Sequence, residues 1–97
     1  MRIVLRPGAE ADVAAAHQYY GDAEPDLARA FIDELDRVLR RLATFPRSAQ
    51  PVADYEAVRR ALLRRFPFSV FYLLGMDEIL VLRVIHTARS PRAWPAP

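Results

Sequence analysis

The clearest hydrophobic pattern along the chain lies between Pro25 and Pro46. Large apolar side chains recur there in steps of four and three residues, at Leu27, Phe31, Leu35, Val38, Leu42 and Phe45. This spacing predicts an amphipathic α-helix whose apolar stripe packs on a sheet, with charged residues on its opposite face. Asp33 and Glu34 each have an arginine three or four residues further on, and such exposed pairs add only about 0.2–0.5 kcal/mol each.

A strand and a shorter helix are predicted before this helix. Residues 2–6 contain three apolar residues, two of them β-branched, between Arg2 and Arg6, and they predict a short strand that ends at Pro7. The acidic residues Glu10 and Asp12 then favour the first turn of a helix that continues through Tyr20. Because the connection to the next helix is short, we predict that the two helices form an antiparallel hairpin.

The second half of the chain predicts three strands. Residues 47–55 show no periodicity and predict a surface loop, whereas apolar runs cover residues 58–63, 68–74 and 78–85. Short turns join these runs, so neighbouring strands are antiparallel. The predicted fold class is α+β: an N-terminal strand and a two-helix hairpin packed on a mainly antiparallel sheet, in the order β-α-α-β-β-β.

The last two strands are apolar on both faces. In the middle strand, alternation separates Phe68, Val70, Tyr72 and Leu74 from Ser69, Phe71 and Leu73. In the last strand, it separates Ile79, Val81, Arg83 and Ile85 from Leu80, Leu82, Val84 and His86. One helical hairpin covers one face, and each large apolar side chain exposed on the other forfeits about 1.5–3 kcal/mol. We therefore expect a protein partner, or a second copy of the chain, to cover part of that face.

Length and composition limit the kinds of protein that this chain can be. The 97 residues form one domain, residues 1–97, in which residues 95–97 are expected to be a flexible tail. The chain has no cysteine, which excludes disulfides, thiolate catalysis and cysteine-bound zinc. His17, expected to be structural, and His86 lack a metal-ligand spacing, so we predict no metal and no cofactor.

Targeting and membrane segments are not predicted. The N-terminus is charged too early for a signal peptide. The longest apolar run falls far short of the roughly 20 residues that span a membrane. We expect a cytoplasmic protein that does not contact the membrane.

The charge is unevenly distributed, and every basic residue is an arginine. Residues 1–58 carry seven arginines and ten acidic residues, for a net charge of −3. Residues 59–97 carry seven arginines and two acidic residues, for a net charge of +5. This asymmetry points to an acidic or polyanionic partner for the second half of the chain.

Four residues of the second half are candidates for chemistry on phosphate, namely Arg60, Arg83, His86 and Arg89. Guanidinium groups bind phosphate at two points and stay charged, and a histidine can serve as general acid or base. The alternative is that the arginines are solubilising or paired with acids, and that His86 binds backbone at a strand end. Arg83 interrupts an apolar strand, so it needs a partner or a function.

Several segments, taken in order, resemble the RelE/ParE superfamily of toxins from bacterial type II toxin–antitoxin systems. They are residues 31–46, the pair Arg59-Arg60, residues 66–72, residues 79–85 and the ending His86-Thr-Ala-Arg89-Ser-Pro91-Arg-Ala-Trp94. The resemblance implies a growth-inhibiting toxin of the kind linked to plasmid stabilisation. It also implies a hetero-oligomer with a cognate antitoxin that wraps the sheet and the hairpin.

The superfamily implies two activities for such a chain. RelE-like members cut mRNA on the ribosome without a metal, and in that case Arg60, Arg83, His86 and Arg89 stand at the catalytic positions. ParE-like members are not enzymes and poison DNA gyrase by binding it. Here lysine is absent and Thr87 or Trp94 stands where a nuclease needs tyrosine. We therefore favour gyrase binding, with the mRNA endonuclease and a non-toxic antitoxin-binding remnant as alternatives.

Overall fold

The N-terminal half of the chain forms one strand and two helices. The computed structural model describes residues 1–88, beginning with β1 (Arg2–Leu5), α1 (Pro7–Ala23) and α2 (Pro25–Thr44). Each helix starts with proline, whose fixed φ suits the first helical position. Glu24 is extended between the helices, which pack together, so the predicted hairpin is confirmed. No helix in residues 1–88 is long and apolar enough to cross a membrane.

The remaining elements form one mixed sheet. They are β2 (Gln50–Val52), β3 (Tyr55–Leu62), β4 (Phe68–Leu74) and β5 (Glu78–His86). The strand order is β1-β5-β4-β3-β2, with β1 parallel to β5 and the other pairs antiparallel. The α+β fold and the three antiparallel strands are confirmed. The order contains one more strand than predicted and becomes β-α-α-β-β-β-β.

The additional strand β2 lies in the segment predicted as a loop. It has only three residues, one of them Pro51, so it shows no alternation that a sequence pattern can detect. The turn that follows places Asp54 at a φ of 68°, a left-handed conformation that aspartate adopts more readily than most residues. This turn reverses the chain so that β2 pairs with β3.

The core lies between the helices and one face of the sheet. The centre of the predicted stripe on α2 is buried, at Phe31, Leu35, Val38 and Leu42. These residues pack in one cluster with Val70 and Tyr72 of β4. The predicted packing of the α2 stripe on the sheet is therefore confirmed, as is the grouping of Val70 with Tyr72 on one face of β4. The two ends of the stripe are exposed, Leu27 by 36% and Phe45 by 61%. Phe45 has already left the helical conformation, which turns its side chain away from the stripe.

A bulge in β5 changes which of its residues face the helices. Phe71 of β4 lies opposite Arg83, but Tyr72 lies opposite Val81, so Leu82 is an extra residue on β5. The extra residue shifts the alternation by one position. Val84 therefore packs in the helix-facing core, while Ile85, Leu82 and Phe71 form a cluster on the opposite face. The predicted grouping of Ile85 with Ile79 and Val81 is wrong for this reason.

The second face of the sheet carries its own small apolar cluster. Its buried members are Val58, Phe71 and Ile85, with Val52, Leu73 and Leu82 packed around them. Phe71 and Ile85 are only 1% and 2% exposed, so the centre of this face is already shielded within the chain. Leu62, at its margin on β3, is 56% exposed. The surface left for a partner is therefore the margin rather than the centre.

Candidate partner-binding surface

Arg83, the charge within an apolar strand, has an acidic partner on α1. Its Nε donates to Asp12 Oδ2 at 2.7 Å and its Nη2 donates to Asp12 Oδ1 at 3.0 Å. This two-point hydrogen bonding raises the pKa of Arg83, while burial acts in the opposite direction. Arg83 is therefore held in an internal ion pair that joins α1 to β5.

Asp12 also accepts a backbone hydrogen bond from the edge of the sheet. β1 ends at Leu5, and within residues 1–88 the later part of β5 has no strand on this side. There Asp12 Oδ2 accepts the N–H of Val84 at 2.8 Å. A Cβ at Gly8 would lie 3.0 Å from Cδ of Arg83, so glycine lets α1 approach closely. The carboxylate thus replaces a missing strand partner at this edge.

His86 lies at the end of β5 on the helix-facing side of the sheet. It lies opposite Phe68, and the two rings meet edge to face with centroids 5.3 Å apart. Phe68 in turn contacts Phe31 of α2, at a centroid distance of 5.2 Å. Nδ1 of His86 accepts the N–H of Ala88 at 3.1 Å. His86 therefore makes the strand-end backbone contact of a structural histidine.

The structure separates the other sequence-predicted residues. Arg60 is exposed on β3 and lies opposite Phe71, whose side chain belongs to the face away from the helices. Phe71 lies opposite Arg83, so Arg60 and Arg83 are two strands apart. His86 is on the other face, and Arg89 lies outside the described residues. Within residues 1–88, the three described candidates Arg60, Arg83 and His86 are not gathered around one point.

The described residues offer no arrangement for a metal ion. His17 is exposed on α1, while its neighbour Ala16 is the buried residue. In residues 1–88, no group of three or more His, Cys, Asp or Glu side chains is placed to bind a metal.

Glu34, which the sequence pattern predicts as part of an exposed ion pair, is buried on the apolar side of α2. It is 5% exposed, and its Oε1 accepts from Nη2 of Arg37 at 2.6 Å. Its Oε2 accepts the backbone N–H of Arg64 at 2.8 Å. The hydrogen bond from Arg37 is the main reason that the pKa of Glu34 is lowered. Burial acts in the opposite direction and raises this pKa, whereas backbone hydrogen bonds lower it further. Its position three residues after Phe31 and one before Leu35, on the apolar side of the helix, is the sequence feature that indicates burial.

Arg59 and Tyr72 hold the segment between α2 and β2. They lie opposite each other on β3 and β4. Nη1 of Arg59 donates to the carbonyl oxygen of Ala49 at 2.6 Å, and the Tyr72 hydroxyl donates to that of Pro46 at 2.8 Å. Burial raises the pKa of Tyr72, although the nearby charge of Arg59 acts against this. These two bonds position the segment that borders the groove described next.

A groove of about 720 Å³ separates the C-terminal half of α2 from β2 and the end of β3. Among the described residues, four arginines line it, namely Arg37, Arg41, Arg60 and Arg64. Apolar side chains lie between them, including Val38, Leu42, Pro51, Val52, Leu62 and Phe71. Asp54 is the one acidic residue among the lining residues in the described part of the chain. The groove can therefore bind an anionic partner that also presents apolar groups.

Comparisons with known proteins agree with this fold. The family model described as ParE toxin of type II toxin-antitoxin system, parDE, matches residues 3–91. Toxin ParE2 of Mycobacterium tuberculosis, in strains CDC 1551 / Oshkosh and ATCC 25618 / H37Rv, is 31% identical over 96 residues, covering 98% of this chain and 90% of the relative.

A solved structure gives the same architecture. It is described as the chromosomal ParDE TA system from P. aeruginosa and aligns with a TM-score of 0.75 at 24% identity, covering 89% of this chain and 95% of that one. This likeness supports the fold, and the sequence matches over nearly the whole chain define the family. The chain belongs to the ParE toxin family of type II toxin–antitoxin systems.

Proposed function

We propose that this ParE-family toxin arrests bacterial growth by binding DNA gyrase in the cytoplasm. We also propose that a cognate antitoxin forms a hetero-oligomer with it and neutralises it. Both statements extend the family assignment from the toxin class to a target and an inhibitor. The match to the ParE toxin family over residues 3–91 supports this choice of target.

The positions of the candidate catalytic residues are the observation that favours gyrase binding over RNA cleavage. Cleavage of RNA needs charged and proton-transferring groups that converge on one phosphate. Here Arg83 is bound at two points by Asp12, and His86 packs on Phe68. Arg60 faces away from the helices, on the side of the sheet opposite His86. Among the described residues, this arrangement favours a binding protein.

Two assays on the purified toxin test this proposal together. In a DNA supercoiling assay with gyrase, we expect loss of supercoiling as toxin is added. In a translating ribosome system, we expect mRNA to stay intact at the same toxin concentration. Site-specific mRNA cleavage that Arg60→Ala or His86→Gln abolishes would instead establish the nuclease alternative. Arg83→Ala is a poor choice for this purpose because it also removes the partner of Asp12.

Growth assays test toxicity and neutralisation separately. Expression of the toxin alone should arrest a bacterial host, and co-expression of the antitoxin from the same operon should restore growth. The co-expressed proteins should elute as one complex whose mass exceeds that of either chain. Normal growth at high levels of soluble toxin would contradict toxicity and favour the non-toxic remnant.

A further inference from the structure

Three of the arginines that line the groove have no acidic partner in the described part of the chain. No ion pair there involves the side chains of Arg41, Arg60 or Arg64, and all three residues are exposed. Arg37 differs, since one of its nitrogens binds the carboxylate of Glu34. Like charges that border one groove repel one another, and an anionic occupant relieves this repulsion. The charge of the groove therefore favours an anionic occupant.

The uncharged polar residues of the groove are of types that contact phosphate in protein–DNA complexes. Ser48, Gln50 and Tyr55 line the groove beside the arginines, and all three are exposed. Hydroxyl and amide side chains share the phosphate contacts of such complexes with arginine, whose guanidinium binds phosphate at two points. The groove thus presents several kinds of hydrogen-bond donor to phosphate oxygens.

The arginines come from separate elements that border the groove. Arg37 and Arg41 are one turn apart on α2, so their Cβ atoms are about 5–6 Å apart. Arg60 lies on β3, and Arg64 follows that strand. Arginines placed in this way can each bind a different phosphate of a backbone that runs along the groove. A polymer with regularly repeated charges fits this arrangement better than a single small anion.

The apolar part of the lining also fits a nucleic-acid backbone. Val52 and Leu62 line the groove, and Leu62 is 56% exposed. Between its phosphates, a DNA strand presents the C–H groups of its deoxyribose rings, against which such side chains can pack. The ring of Tyr55 is available for the same kind of contact, since this residue is 44% exposed. A DNA backbone therefore supplies both the anionic and the apolar contacts.

Glu34 fixes the position of part of the basic lining. Its buried carboxylate accepts hydrogen bonds from the side chain of Arg37 on α2 and from the backbone N–H of Arg64 after β3. Both arginines line the groove. Glu34 is thus a positioning residue that joins α2 to the segment after β3, so the basic residues do not have to be brought together when an anion binds.

We propose that this groove binds the sugar–phosphate backbone of the DNA that gyrase holds. This role rests on the proposed function, which brings the toxin to gyrase-bound DNA. Arg41, Arg60 and Arg64 bind separate phosphates, and Leu62 packs against deoxyribose. Binding does not depend on DNA sequence, because phosphate contacts carry no sequence information. Contacts with the gyrase protein itself lie outside this groove.

Fluorescence anisotropy of a labelled, mixed-sequence DNA duplex tests binding to the full-length toxin. Titrations at several salt concentrations give the Kd and its salt dependence. Three phosphate contacts predict a slope of about −3 for the logarithm of the binding constant against that of the salt concentration. A second duplex of unrelated sequence should bind with the same Kd. A slope near zero would overturn the phosphate contacts.

Two double substitutions that remove equal charge locate the site. Arg41→Gln/Arg60→Gln changes the groove, whereas Arg6→Gln/Arg29→Gln changes exposed arginines elsewhere. We expect the groove variant to bind the duplex at least about tenfold more weakly and its slope to fall to about −1, since each lost phosphate contact lowers the slope by about 1. The control variant should stay within about threefold of the wild type, because distant exposed charges contribute little.

A third variant separates charge from structure. Arg41→Lys/Arg60→Lys keeps both charges and should bind the duplex more tightly than the glutamine variant, since lysine also binds phosphate. Circular dichroism should show the same cooperative transition for all variants. Equal Kd values for the groove variant and the wild type would overturn the site. Binding of poly-glutamate or single-stranded RNA as tightly as the duplex would overturn the choice of DNA.

Assays with gyrase distinguish failure of the DNA site from failure of the proposed function. If the site is correct, the groove variant binds DNA-free gyrase as tightly as the wild type but inhibits supercoiling only at higher concentration. If the groove variant inhibits supercoiling as well as the wild type does, the DNA site is wrong and the proposed function stands. If the wild-type toxin neither binds gyrase nor inhibits supercoiling, both are wrong.

Discussion

Replacement of Asp12 by alanine should destabilise the protein by removing the contact between α1 and the open edge of β5. Asp12 accepts two hydrogen bonds from Arg83 and one from the N–H of Val84. Arg83 and Val84 are 71 and 72 positions from Asp12 in sequence. Loss of these hydrogen bonds therefore weakens a tertiary contact and not the helix itself. The substitution keeps the helix intact, because alanine has the highest helix propensity of all residues.

The expected cost follows from the burial of the partners. Removal of one member of a fully buried ion pair costs about 3–5 kcal/mol. The side chain of Arg83 is 30% exposed, however, so water can solvate its guanidinium again after the substitution. The Val84 N–H also loses its acceptor, which costs about 1 kcal/mol for a neutral donor at a sheet edge. We therefore expect Asp12→Ala to lower the free energy of unfolding by about 2–3 kcal/mol.

Urea denaturation followed by circular dichroism measures this difference. Glu10→Ala serves as the control, because Glu10 is an exposed acid on the same helix with no described ion-pair partner and should change stability by less than about 0.5 kcal/mol. A cycle with Arg83→Ala and the double variant should give a coupling energy of about 1–2 kcal/mol. If Asp12→Ala unfolds within about 0.5 kcal/mol of the wild type, the ion pair does not hold α1 on the sheet.

Three further substitutions have defined outcomes. Leu35→Asp should abolish the cooperative thermal transition because it buries an unpaired charge, whereas Leu27→Asp, at a position 36% exposed, should retain it. The pKa of Glu34 lies below its usual 4.5, so the ionised carboxylate stabilises the fold above pH 4.5, and this stabilisation is lost as the pH falls. Glu34→Gln should therefore show a smaller decrease in Tm below pH 4.5 than the wild type. Tyr72→Phe leaves the carbonyl of Pro46 without its donor and should cost about 1 kcal/mol in urea denaturation.

Local sequence patterns predicted the helices and most strands correctly. The stripe from Phe31 to Leu42 has the helical period, and Phe68–Leu74 alternates, so each buried face follows from side-chain geometry within one element. The same patterns missed β2, because three residues that include Pro51 are too few to show a period. They also misplaced the faces at the end of β5, because the extra residue Leu82 is defined only by pairing with β4.

The candidate site depended more strongly on tertiary structure. The sequence alone determined that Arg83 needed a partner, since a charge within an apolar strand is costly without one. Only the fold decided that Asp12 is that partner, and that Glu34 joins Arg37 to the backbone of Arg64, 30 residues away. Composition likewise showed a basic second half, but the groove combines arginines from α2 and from β3 and its end. Periodicity reports which face of an element is apolar, whereas contacts between distant residues exist only once the elements have packed.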